Sequence, residues 1–181
     1  MQLTEGKLTF TFDDNGHDDN WRVEKYDDWS FYRKQFNSCC GGNRAVDFLA
    51  YQVREKTLWL IEVKDYRHSP RTKDIPLWEE VASKVRDTLA GIFAACVNAS
   101  DDTERHFAAQ ALRATRLRVV LHLEQPPTRS KVFPRIYDPA DVQQKIKHLL
   151  KPVDAHPRVV ACDTLSAVPW KVTPHASGEP K

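Results

Sequence analysis

With 181 residues, 41% of them hydrophobic and 10% aromatic, the chain is long enough for one well-buried core and short for two. A net charge of +2 neither demands nor forbids a nucleic-acid partner, and no stretch approaches the roughly 20 apolar residues of a membrane span. The N-terminus carries no basic-then-apolar leader pattern, so a soluble, cytoplasmic protein is the expectation. Lys7 to Phe12 alternates through Leu8, Phe10 and Phe12 and predicts a strand, residues 13–20 a polar turn, and Trp21 to Tyr26 a second strand, so the pair predicts an N-terminal hairpin. Asp28 to Phe36 has Trp29, Tyr32 and Phe36 at helical spacing behind a cap at Asp27 or Asp28. Two apolar runs follow, Ala45 to Tyr51 and Thr57 to Lys64, with the composition of strands. Asp74-Ile75-Pro76 starts a long helix whose Trp78, Val81, Ala82, Val85, Leu89, Ile92, Phe93 and Cys96 keep the 3.6 period to about Asn98, with Glu79, Glu80 and Lys84 on its other faces. A helix from Asp101 to Ala114, a strand from Leu117 to Leu123 ended by Gln125-Pro126-Pro127, a helix from Pro139 to Lys151 and a short edge strand from Arg158 to Cys162 complete the pattern. Residues 1–164 read as a single mixed α/β domain, and residues 165–181, with Pro169, Pro174 and Pro180, as a flexible tail whose start Trp170 and Val172 anchor.

The two apolar runs carry the chemistry. If the loop between them is centred between Arg54 and Glu55, residues whose numbers sum to 109 face one another, and Asp47 lies across from Glu62. Lys64 shares that face because strand side chains alternate with period two. Two carboxylates and an ammonium thus converge at one end of an apolar hairpin. Two readings of that face are open: a divalent cation holding both acids ionised, or a cross-strand salt bridge of Lys64 with Asp47 or Glu62.

Asp47 followed by Glu62-Val63-Lys64 resembles the core motif of the PD-(D/E)xK nucleases, although Val46 stands where that motif has proline. The resemblance implies a restriction-endonuclease-like core (αβββαβ: helix, three strands, helix, strand), within a mixed central sheet flanked by helices and preceded by the N-terminal hairpin. It implies a Mg²⁺- or Mn²⁺-dependent phosphodiester hydrolase, most simply a DNA endonuclease. Asp47, Glu62 and the Val63 carbonyl would ligate the metal and Lys64 would position the attacking water. An upstream acid sometimes joins such a site, and Glu24, Asp27 and Asp28 are the candidates. The alternative on the same fold is a non-catalytic nucleic-acid-binding or assembly module. The partner expected is nucleic acid, DNA before RNA, with a homodimer or a subunit of a larger defence or mobile-element complex as the setting.

Arg67, Arg71 and Lys73, in the basic loop after the motif, are the residues expected to touch phosphates, and Arg33-Lys34 with Asn43-Arg44 form a weaker second patch. The Trp29, Phe31 and Tyr32 cluster reads as core before base-stacking surface. Cys39, Cys40, Cys96 and Cys162 show no C-x-x-C pair and no histidine spacing suited to zinc, and the vicinal Cys39-Cys40 pair reads as small, buried or half-buried thiols.

Overall fold

The computed structural model describes residues 1–13, 20–69, 71–126 and 136–174. The polar turn expected over 13–20, Pro127 and residues 175–181 of the tail lie largely or wholly outside that set. No helix among the described residues is long and apolar enough to cross a membrane.

In chain order the described elements are β1 (Gln2–Glu5), β2 (Leu8–Thr11), β3 (Trp21–Lys25), a helical turn over Tyr32–Phe36, β4 (Phe48–Gln52), β5 (Thr57–Asp65), α1 (Leu77–Asn98), α2 (Asp102–Ala111), β6 (Arg116–Glu124), α3 (Pro139–Leu150), β7 (Arg158–Val160) and β8 (Lys171–Pro174). The main sheet has the order β3-β4-β5-β6-β7; β3, β4 and β5 are antiparallel, whereas β6 joins β5, and β7 joins β6, in parallel. A parallel pair needs a crossover, and α1 with α2 supplies it between β5 and β6. The β4–β5 register is the one read from the sequence: Leu49 faces Leu60 and Tyr51 faces Leu58.

Alternation along β4 and β5 divides the core into two layers. Leu49, Tyr51, Leu58 and Leu60 pack under α1 with Val81, Val85 and Ile92. Phe48, Ala50, Trp59 and Ile61 point the other way, onto Leu8, Phe10 and Phe12 of the smaller sheet. With both faces covered, the central strands read as continuous apolar runs, and each large side chain so buried contributes about 1.5–3 kcal/mol.

Three expectations are corrected here. The N-terminal hairpin is β1 with β2, turned at Gly6 with φ +55, a left-handed conformation that glycine adopts without a Cβ clash. Trp21–Lys25 pairs instead with β4, and β2 pairs with β8, so residues 171–174 form a strand of the small sheet and not part of a free tail. Burial explains the exchange: Phe12 stacks against both Trp21 and Trp170, at 5.4 Å each, and Trp170 meets Trp59 at 5.1 Å. The first helical turn is followed by two strands before α1, not three, because β3 precedes it.

The cap of that first turn also differs from the expectation of Asp27 or Asp28. Glu104, on α2, accepts the Ser30 amide at 2.5 Å and the Phe31 amide at 3.0 Å. One buried carboxylate thus closes the start of an element 74 residues earlier. The turn itself is wide, with the Asn37 amide donating to the Tyr32 carbonyl at 2.8 Å. Glu104→Ala leaves both amides without partners and is expected to cost about 2 kcal/mol in urea unfolding, against a few tenths for exposed Asp102→Ala. Asp101 and Asp138 cap α2 and α3, accepting Thr103 and Ala140 amides at 2.8 and 2.9 Å.

Candidate functional site

The sheet is half antiparallel and half parallel, and the C-terminal end of β5 is where polar side chains gather. Asp47 sits one residue before β4, with its Oδ2 accepting the Val63 amide of β5 at 2.6 Å. Glu62 is fully buried on the α1 side, and Lys64, two residues on, reaches back to its Oε1. Structure therefore brings Asp47, Glu62 and Lys64 together.

Helix α1 completes the cluster with residues the sequence reading left on its outer faces. Lys84 Nζ lies 2.6 Å from Glu62 Oε1 and 3.6 Å from Asp47 Oδ1. Glu80, 1% exposed, binds Arg71, takes Lys73 Nζ at 2.6 Å and lies 3.9 Å from Lys64 Nζ. Two turns beyond Glu80, Asp87 accepts the Arg44 amide and Thr88 the Val46 amide, each at 3.0 Å, so α1 fixes the backbone that delivers Asp47. Glu80, Lys84, Asp87 and Thr88 recur at i, i+4, i+7 and i+8. That polar stripe beside the apolar one was the available signal.

The electrostatics follow from burial. Glu62 is pushed up to about 7 by its complete burial first and by the Asp47 charge second, with Lys64 and Lys84 pulling the other way. Its Oε2 has no hydrogen-bond partner. Lys64 is held protonated: burial opposes its charge, and Glu62 and Asp47 more than offset that. Of the three upstream acids only Asp27 lines the cleft; burial, then Asp47, raises it to about 6. Asp28 pairs with Lys25 and Arg33, and Glu24 lies in β3, its surroundings including Glu104 and Asp101.

The donor set can be tested for the divalent cation that the motif implies. Two ammonium groups, Lys64 and Lys84, already contact the same Glu62 oxygen. They answer one Glu62 oxygen only in part, since the carboxyl stays raised and Oε2 keeps no partner, and nothing in this arrangement selects Mg²⁺ or Mn²⁺.

The basic loop is used mostly inward. Arg71 is nearly buried, joined to Glu80, to the Tyr66 hydroxyl at 3.2 Å and to the Ile75 carbonyl at 2.5 Å. Arg67 forms a fork with Asp65, at 2.8 and 2.6 Å. Lys73 alone of the three keeps a largely exposed side chain at the cleft. Arg33 and Arg44, from the weaker patch, are exposed on the same rim, around a cleft of about 480 Å³. A larger cavity of about 680 Å³ between α1 and α3 lacks such a cluster, and Lys145 Nζ already covers its Trp78 ring at 3.9 Å.

One cysteine expectation is also corrected. Cys39 and Cys40 are exposed, on a turn where Cys40 has φ +52. Cys162 converges with His122 and Glu124 although no sequence spacing announces it; the three ligand atoms lie within 4.8 Å of one another.

No family model and no solved structure matches the chain. It is similar to a cysteine–tRNA ligase of Neisseria meningitidis, 32% identical over an alignment of 172 residues that covers 77% of this chain and 23% of that protein. The chain thus spans less than a quarter of the length of the curated relative it matches. This kinship overturns the expectation of a metal-dependent nuclease: the relative is a ligase named for tRNA, not a hydrolase of phosphodiesters, and the preference for DNA falls with it.

Proposed function

We propose that this chain is a ligase-related, RNA-handling domain that holds tRNA by its sugar-phosphate backbone. The observation that carries the reading is the 32% identity to a cysteine–tRNA ligase across 77% of the chain. The cleft supports it chemically. Arg33, Arg44 and Lys73 stand exposed at its rim and Lys84 also lines it, cations that can meet phosphates beside the acids Asp27, Asp47 and Glu80. Tyr32 lines the same cleft, and an aromatic ring beside basic side chains is the arrangement that receives unpaired RNA bases.

Within this reading Asp47, Glu62 and Lys64 set the charge of the cleft instead of performing hydrolysis, and Lys73 remains the phosphate contact from the basic loop. The antiparallel-to-parallel switch at β5, the α1 crossover and the acid–lysine cluster at the strand's end support a restriction-endonuclease-like core, with β3 displaced ahead of the helical turn.

Filter binding with tRNA tests the proposal. Wild type is expected to bind with a log K against log[salt] slope of about −2, as three neutralised single-strand phosphates give. The double variant Arg33→Glu/Arg44→Glu is expected to lose tenfold or more, and duplex DNA of equal length to bind more weakly. Salt-insensitive binding, or a double variant that binds like wild type, sinks the reading.

A further inference from the structure

The geometry points to a transition-metal site of the Zn²⁺ class at His122, Glu124 and Cys162, on the opposite face of the main sheet from the acid–lysine cluster. His122 and Glu124 are two residues apart on β6 and therefore share a face, the one turned towards the small sheet. Cys162 follows β7, the neighbouring parallel strand, which brings its thiol alongside. His122 Nε2 lies 2.9 Å from Glu124 Oε1, and the three ligand atoms fall within 4.8 Å of one another. A tetrahedral zinc bound to nitrogen, oxygen and sulfur separates its ligands by roughly 3.3–3.7 Å, so shifts of about an ångström close the site.

The donor set is selective. One imidazole, one carboxylate and one thiolate suit zinc or cobalt and do not suit magnesium or calcium. Supporting contacts are in place: the Cys162 amide donates to Glu124 Oε1 at 2.7 Å and steadies the carboxylate. The imidazole is completely buried, edge-on to Phe10 at 5.2 Å, and its Nδ1 has no partner. A proton on Nδ1 would sit there as an unpaired buried N–H, a cost that the metal bond at Nε2 must exceed. On binding, the ring proton moves from Nε2 to Nδ1, the Nε2 lone pair takes the metal, and the Cys162 thiol releases one proton. Arg67 is the nearby cation, and its fork to Asp65 balances it. Cys162 is half-exposed.

Cobalt(II) substitution reads the site directly. One equivalent is expected to give wild type a thiolate-to-metal charge-transfer band that Zn²⁺ displaces. The band should persist in Cys39→Ser/Cys40→Ser and vanish in Cys162→Ser. Zinc a hundredfold above its Kd should raise the wild-type Tm by about 5–10 °C and leave Cys162→Ser unmoved. No band in wild type, or one that survives in Cys162→Ser and is lost in Cys39→Ser/Cys40→Ser, overturns the site. Should Cys162→Ser fail to fold, alkylation of wild type decides: zinc must slow modification of Cys162 and not of the exposed pair, and an unslowed Cys162 overturns the inference.

Discussion

Glu80→Ala is expected to lower the unfolding free energy by about 3–5 kcal/mol, the largest loss for a single polar side chain here. The buried carboxylate joins Arg71 and Lys73 from the loop after β5 to α1, with Lys64 3.9 Å away. Its removal strands the nearly buried Arg71 guanidinium without a counter-charge, and that, more than the lost bonds, sets the magnitude. Burial works to raise the Glu80 carboxyl, but Lys73, Arg71 and Lys64 overcome it and hold the group at about 2, down from 4.5. A lowered carboxylate stabilises the fold above its unfolded value, so the Glu80 contribution is complete above pH 4.5 and fades as pH falls towards 2. Urea titrations across that range should show wild type losing stability on acidification more steeply than Glu80→Ala. A loss below about 1 kcal/mol at neutral pH is incompatible with the ion cluster described.

Glu62→Gln is expected to change the response to pH in the opposite sense. The folded-state value of about 7 lies above the ordinary 4.5, so the folded protein holds this proton more tightly than the unfolded chain. Its contribution is complete below pH 4.5 and is lost as pH rises through about 7, a dependence the glutamine variant should lack. Protonation also releases Lys64 and Lys84 from their shared counter-charge and makes the cleft more positive. Wild-type affinity for tRNA should therefore rise about fivefold between pH 8 and pH 6, as a one-unit shift of the Glu62 value on binding requires. Glu62→Gln should bind at pH 8 as wild type does at pH 6 and vary little between them. Asp27, at about 6, adds to the rise at the acid end. Equal pH profiles for wild type and variant would remove Glu62 from control of the cleft.

How much of this was legible in the sequence depends on distance along the chain. The β4–β5 register could be read to the residue, because a slip by one would turn Leu49, Tyr51, Leu58 and Leu60 out of the helical layer. The same pattern aligned Asp47, Glu62 and Lys64. It could not show that Lys84 would join Lys64 at Glu62, since Lys84 arrives from a helix 22 residues beyond Glu62. Glu104 capping Ser30 and Phe31, and Cys162 meeting His122, belong to the same class: partners set by packing, with no local period to betray them. The function was misread for a related reason. Three residue types at a loose spacing describe a charge cluster, and a charge cluster fits several chemistries.

The pairing of β2 with β8 has a consequence for how the chain reaches this state. Lys171 and Asp13, beside that ladder, meet at 2.7 Å although they are 158 residues apart in sequence. Until the last strand is available, Leu8, Phe10 and Phe12 belong to a two-stranded ribbon with an open edge, a marginal structure in water. During synthesis β1 and β2 are thus made well before β8 can lock them, and closing so long a loop makes that step slow. Pulsed hydrogen exchange during refolding should protect the amides of β4, β5 and β6 before those of β2, leaving an early species whose Phe48, Trp59 and Ile61 face water and which a nascent chain must keep from its neighbours.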